Sequence, residues 1–227
     1  MTFWNKLFGK QKNDKPQKKE ENQNQNAINP IVEKYITGLK DAYLKNNGKE
    51  EWESFEQVIH GARKEDINKL KRVYPNIPIS LINLLEYVDG TYWRKYGNEE
   101  IIFFLLGSDM HEYPYYLLST KAIIENQKQT KFYSDCISRK YEGIEIDDKI
   151  TNKAESINWL HFSDCMNNGG TSQLYIDFSP SEKGIKGQII RFVHDPDEFK
   201  VIANSFDEYL NMLIEKKFDF INEDTVE

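Results

Sequence analysis

The residue types able to do chemistry are scattered along this chain. His60, His111, His161 and His194 are dispersed, and none stands in an H-E-x-x-H or comparable ligand spacing. His161 falls between Leu160 and Phe162, where strand alternation places it on the opposite, partly exposed face. Asp109-Met110-His111-Glu112 puts three ligand types into four residues, but a hard-cation loop needs more oxygens at regular spacing. Cys136 and Cys165 lie in unrelated settings without the signature of a thiolate nucleophile. They are also too few for a disulfide scaffold and too far apart for a metal knuckle. Ser108 lacks the second glycine of a nucleophile elbow. The stretch from Asn167 to Ser172 contains Gly169 and Gly170, but it has neither Gly-Lys-Ser/Thr nor G-x-G-x-x-G and reads as a tight turn. These patterns predict no catalytic centre, no metal and no cofactor.

Two clusters remain. Glu142, Glu145, Asp147 and Asp148 place four acids within seven residues, close to Arg139, Lys140 and Lys149. A general acid and base would need a pocket to separate their pKa values, which a loop-like segment does not supply. The alternatives are a solvated charged face and an interface that complements a basic partner. The second cluster is aromatic: Tyr92, Trp93 and Tyr96, with Tyr113, Tyr115 and Tyr116. Strand alternation sends half of these into the core and leaves the outward half as interface anchors. The candidate partner-binding residues are therefore Tyr92, Trp93, Tyr96, Asp109, Glu112, Tyr113, Glu142, Glu145, Asp147 and Asp148.

Charge points the same way. The 227 residues carry a net charge of −7, which argues against nucleic-acid binding that rests on Lys and Arg neutralising phosphates. The charge divides unevenly. Residues 1–29 hold six lysines against three acids, a net of +3, and the rest holds 24 basic against 34 acidic side chains, a net of −10. The longest dense apolar run, Ile101 to Leu106, is far short of a membrane span. No secretory leader is read at the start, so a cytoplasmic location is expected. Six alanines against abundant Asn, Ile and Lys point to an AT-rich bacterial genome.

The elements that must position these residues follow from periodicity. Residues 1–29 form a basic, disordered tail: Phe3, Trp4, Leu7 and Phe8 share one side of a short helix, and a polar run to Asn26 follows. Its alternatives are a weak membrane-surface foot or docking peptide on a tether, and a frayed terminus. Thr2 excludes N-myristoylation. Asn29-Pro30 starts a helix with Ile31, Tyr35, Leu39 and Ala42 on one stripe. Trp52, Phe55 and Ile59 make a second stripe, Ile67, Leu70 and Tyr74 a third, and Pro78 opens a fourth helix that ends at Asp89-Gly90. Beyond Gly90 the period is that of strands. Residues 91–96 and 101–106 predict a hairpin, 115–118 a strand, and Ser119 caps a helix. Residues 128–156 read as loop with some helix. Four strands follow, at 157–162, 173–178, 188–194 and 200–203, and Ser205-x-x-Glu208 caps a closing helix. This order predicts a single α+β domain over 30–220, with N-terminal helices, a mostly antiparallel central sheet of about six strands flanked by helices, and a C-terminal helix.

Trp52-Glu53-Ser54-Phe55, Tyr74-Pro75-Asn76-Ile77-Pro78 and Leu84-Leu85-Glu86-Tyr87-Val88-Asp89-Gly90 resemble the N-terminal helical part of the SUKH superfamily, the Smi/Knr-type proteins. Trp159-Leu160, Gly169-Gly170, Tyr175-Ile176-Asp177, Gly184, Gly187-Gln188-Ile189-Ile190 and Ala203-Asn204-Ser205-Phe206 match its C-terminal half in order. The most specific stretch runs from Asp177 to Ile190, and the likeness covers about residues 50–215. The resemblance implies this same fold and a protein without catalysis. Bacterial members are typically immunity proteins that neutralise a cognate toxin, often a nuclease, and fungal members regulate cell-wall synthesis through protein contacts. Trp52, Pro78, Gly90, Gly169, Gly170, Asp177, Gly184, Gly187 and Ser205 carry the likeness in structural roles, the glycines as turns needing positive φ. The implied partner is a basic toxin domain. The alternative is a regulatory or scaffold module whose tail makes at most weak membrane contact.

Overall fold

The computed structural model describes residues 29–127, 133–165 and 172–226. The expected tail and the turn at Gly169-Gly170 lie outside the described residues. Helix α1 (Pro30–Lys45) starts where expected, with the Asn29 side chain accepting from the Ile31 N–H at 3.1 Å. Helices α2 (Lys49–Val58), α3 (Lys64–Val73) and α4 (Ile79–Tyr87) follow, and Pro78 stands immediately before α4. The hairpin is β1 (Arg94–Tyr96) with β2 (Glu99–Ile101). Next come β3 (Tyr116–Leu117), α5 (Thr120–Glu125), α6 (Ser134–Ile137) and β4 (Glu145–Ile146). The long strands are β5 (Trp159–Cys165), β6 (Ser172–Asp177), β7 (Gln188–Val193) and β8 (Glu198–Ala203), and α7 (Phe206–Glu215) follows. Ser205 caps α7 by accepting from the Glu208 N–H at 3.1 Å.

Six strands form one sheet in the order β3-β5-β6-β7-β8-β4. Every pairing is antiparallel except that of β4 with β8. One face carries Leu160, Phe162, Leu174, Ile176 and Ile189 under the helices. The other carries Trp159, Tyr175, Ile190, Phe192 and Phe199, covered by Ile137, Ile150, Tyr133 and Ile144. The segment that reads as irregular is therefore the second layer of the domain. It also contains β4, whose two residues give no periodic signal; on the same face His161 is only 2% exposed, bonded to Asn126 and Asp164 and packed on the Tyr175 ring. The expectation of a partly exposed His161 is corrected: alternation is right, but both faces are covered.

A second difference lies at residues 102–106, expected to continue the hairpin. The regular ladder ends at Ile101; beyond it the Phe103 N–H donates to the Thr91 carbonyl at 3.0 Å, Leu106 bridges Tyr115, and α1 supplies donors to two of the carbonyls. The Tyr43 hydroxyl donates to the Phe104 carbonyl and that of Tyr35 to the Leu105 carbonyl, both at 2.8 Å. These two carbonyls are thus satisfied by side chains in place of a regular ladder.

Two glycines explain family positions by different physics. Gly90 has φ +91°, and a Cβ there would lie 2.6 Å from the Ser119 nitrogen. Gly184 does not have the positive φ that its turn predicted. A Cβ there would lie 2.4 Å from the Lys149 carbonyl oxygen, so it is required for close backbone approach.

Helix α1 meets the segment that follows α7. Phe218, Phe220 and Ile221 are buried beyond α7, Tyr35 meets Phe218 edge-on at 5.2 Å, and the Asn46 side chain donates to the Ile221 carbonyl at 2.9 Å. Phe220→Ala is expected to cost about 3–5 kcal/mol, read as a lowered urea midpoint.

Candidate partner-binding surfaces

The expected contact residues occupy three separate places. The first is the β1–β2 hairpin. Arg94 pairs with Ile101, Lys95 with Glu100 and Tyr96 with Glu99. Tyr96 faces inward, its hydroxyl donating to the Gly90 carbonyl at 2.7 Å. Burial pushes its pKa well above the tyrosine range. Tyr92 is half-buried and stacks on Tyr116 at 5.0 Å. Trp93 is exposed, as are Lys95, Glu99, Glu100 and Ile102. The hairpin is fastened below by Asp89. Its carboxylate accepts from the Arg94 guanidinium at 2.6 Å and from the Thr120 N–H and hydroxyl at 2.8 and 2.9 Å. The same carboxylate stands at the N-terminus of α5, where it complements the helix end.

The second place is the loop through residues 107–113. Asp109 is not free: its carboxylate accepts from Arg191 through both oxygens and from Lys200 at 2.9 Å, and Arg191 also reaches Glu198 at 2.6 Å. Burial works to raise the Asp109 pKa, but the bonds from Arg191 and Lys200 outweigh it and hold the carboxyl below its ordinary value. Lys216 donates to the carbonyls of Ser108 and Asp109 at 3.3 and 2.8 Å. His111 bonds Asp219 at 2.9 Å and Glu112 at 3.1 Å, and the Asp219 bond raises its pKa. Tyr113 is half-buried against Tyr115 at 5.8 Å. This loop is strapped to the sheet and to the end of α7.

The third place is the acidic segment at the β4 edge. Asp147 is structural, its carboxylate accepting from the Lys149 and Val201 N–H groups at 2.9 and 3.4 Å. Asp148 pairs with Lys183 at 2.6 Å. Glu142 and Glu145 are exposed beside Tyr141, an aromatic that the sequence reading did not single out. Because β3 and β4 are the two edges of the sheet, and Thr91 is hydrogen-bonded to Leu117 of β3, the hairpin cluster and this acidic cluster stand at opposite edges. The fold does not join them into one patch.

The family-like stretch from Asp177 to Ile190 is a buried junction. Asp177 has no exposure. Its oxygens accept from the Ser179 N–H at 2.8 Å and from the Gln188 amide at 2.9 Å, and its own carbonyl accepts from the Gly187 N–H at 2.7 Å. Burial raises the Asp177 pKa against these donors. Gln188 also donates to the Lys149 carbonyl at 3.2 Å, which ties the covering segment to the sheet.

Among the described residues, no three His, Cys, Asp or Glu side chains gather where they could hold a metal ion, and no helix is long and apolar enough to cross a membrane. What remains is an α+β domain whose most family-like stretch is a buried junction and whose expected contact residues are divided between a hairpin, a strapped loop and an edge strand. The chain belongs to the SMI1 / KNR4 family (SUKH-1), whose model matches residues 61–212. No curated protein matches it in sequence.

The two buried carboxylates predict opposite pH effects. Asp109 has a depressed folded pKa, so its stabilisation is present above the unfolded value of about 3.9 and is lost as pH falls through the folded value. Asp177 has a raised folded pKa, so its contribution is greatest at low pH and declines as pH rises through that value. Asp109→Asn is expected to flatten the acid limb of stability against pH, measured by urea melts between pH 2 and 7. Asp109→Ala should cost about 3–5 kcal/mol at neutral pH, because it leaves Arg191 buried and short of its main counter-charge.

Proposed function

We propose that this protein is a non-enzymatic immunity protein that neutralises a cognate toxin, a nuclease, by covering its basic nucleic-acid cleft. The family match over residues 61–212 carries the reading, since immunity is what the likeness implies for bacterial members. The net −10 of the chain beyond residue 29 supports it. An acidic face meeting a basic cleft accelerates association and competes with the nucleic acid for the same charges. Direct nucleic-acid binding has no place in this reading, and the site of action is the cytoplasm. The exposed members of the expected contact set are Trp93, Glu112, Glu142, Glu145 and Asp148, of which Glu112 and Asp148 also pair with His111 and Lys183. Asp109, Asp147 and Tyr96 would act by holding the surface in shape.

Co-expression with the product of the adjacent reading frame tests this. That product is expected to arrest growth alone and to be harmless beside the full chain. A harmless product, or arrest that the full chain does not relieve, removes the immunity reading.

A second reading is favoured by the basic, aromatic composition of residues 1–29. In it the domain is a regulatory or scaffold module of Smi/Knr type, linked to the cell envelope through weak contact of that segment with a membrane surface. Fractionation should then place the full chain partly with membranes and a chain starting at residue 30 entirely in the supernatant. Identical behaviour of the two removes the segment from the account.

A further inference from the structure

We propose that the β1–β2 hairpin is the element that enters the partner, with the Trp93 indole seated in an apolar pocket bordered by basic side chains of another protein. This rests on the partner-binding reading above and selects one of the two sheet edges. Trp93 has φ +46°, a left-handed conformation that a bulky side chain rarely adopts because its Cβ crowds the backbone. The domain gains little burial in return, since the side chain is 53% exposed. Among the described residues, its indole makes no aromatic or cation–π contact. A large apolar residue held in strained backbone and presented to solvent does nothing for the domain alone, and strain of this kind collects at binding sites.

Its surroundings define the partner. Ile102 is 45% exposed and follows Ile101 on the strand opposite, so it stands across from Trp93 at the next rung. The outward face of the hairpin thus carries Trp93 and Ile102 above Lys95 and Glu100. Glu99 and Glu100 are exposed at the tip and have no ion-pair partner among the described residues. An apolar knob beside unpaired carboxylates fits a pocket rimmed by Lys or Arg. A second copy of this chain fits poorly, because its own strongly acidic body would have to approach these glutamates. Below the knob, the Asp89–Arg94 pair, the Tyr96 hydroxyl bond to Gly90 and the His60 ring 4.9 Å from Tyr96 fix the hairpin's base. The anchor is therefore presented in its bound shape, as interface hot spots of this type require. At the β4 edge, Tyr141 is comparably exposed and serves as the internal comparison.

Two measurements test this. Trp93→Gly and Trp93→Asn, both compatible with positive φ, are expected to keep the melting midpoint or raise it by about 2–4 °C. A midpoint lowered to the extent of a core truncation in both variants would make Trp93 a packing residue and overturn the assignment. Separately, p-benzoylphenylalanine is placed at position 93 or at position 141 of the full chain in cells of the native host, and adducts are identified by mass spectrometry. The expected result is one adduct from position 93 with a basic protein, reduced about fivefold by the pair Glu99→Gln and Glu100→Gln through lost charge steering. An adduct from 141 with none from 93 overturns the hairpin assignment while the binding reading stands. An adduct joining two copies through 93, or one with an acidic protein, overturns the basic partner. Adducts from neither position overturn both readings.

Discussion

A carboxylate with no solvent exposure ties three parts of this domain to one another. Asp177 ends β6, accepts from the turn that follows and from Gln188 at the start of β7, and through Gln188 reaches the carbonyl of Lys149 in the segment that covers the second face. Leaving a buried carboxylate short of donors is costly, so turn, strand and covering segment must adopt their conformations together. Gly184 belongs to the same constraint: its bare backbone lets the turn approach Lys149 where a methyl group would collide. The closing of this junction places the Trp159, Tyr175 and Phe199 rings beneath Ile137 and Ile150, which makes the sheet two-sided. That in turn gives β4 its place beside β8.

This division of labour separates scaffold from surface. The described positions that carry the family likeness do structural work: Trp52 and Asp177 are wholly buried, Gly90 abuts Ser119, Gly184 lets two backbone segments approach, and Ser205, though exposed, caps α7. They specify a platform and say little about what it holds. The exposed residues with binding potential lie at the margins, on a hairpin outside the main sheet and on the short edge strand at its far side. Both can change in side chain without disturbing Asp177 or the Arg191 cluster. Such an arrangement suits proteins that keep one fold while meeting different partners, because binding energy concentrates in a few anchors and the rest of the surface is tolerant.

Most of the fold is legible in local pattern because its elements are locally determined. Asn29-Pro30 and Ser205-x-x-Glu208 are cap chemistry, and β5 to β8 alternate over six or seven residues. The segment over 133–157 is different. Its conformation is set by non-repeating contacts: within it, Arg139 donates to the carbonyls of Ile137, Ile150 and Thr151, Gln188 holds the Lys149 carbonyl from the sheet, and β4 exists only where β8 offers an edge. No local period could announce this. Contact residues fare similarly. Trp93 is conspicuous by type, while its exposure depends on a backbone twist that periodicity does not encode. Ile102 hides in an apolar run that looks like core, though its alternation with buried Phe103 carries the signal. Asp109 and Asp147 look like surface acids, and only the folded arrangement reveals the cations and backbone donors that occupy them.

The packing of α1 against the segment after α7 bears on how the protein is made. Helix α1 is synthesised early, yet its Asn46 bonds a carbonyl 175 residues later and its Tyr35 packs on Phe218. At ordinary elongation rates of about 5–20 residues per second, that helix waits on the order of ten to thirty seconds for its covering. During this interval Tyr35 and the backbone at Gly38 lack the Phe218 ring that covers them in the finished fold. A chain lacking Phe218, Phe220 and Ile221 would still pack α7 on α1 but would leave this part of the helix bare, a mark by which quality-control proteases can distinguish unfinished folds from finished ones.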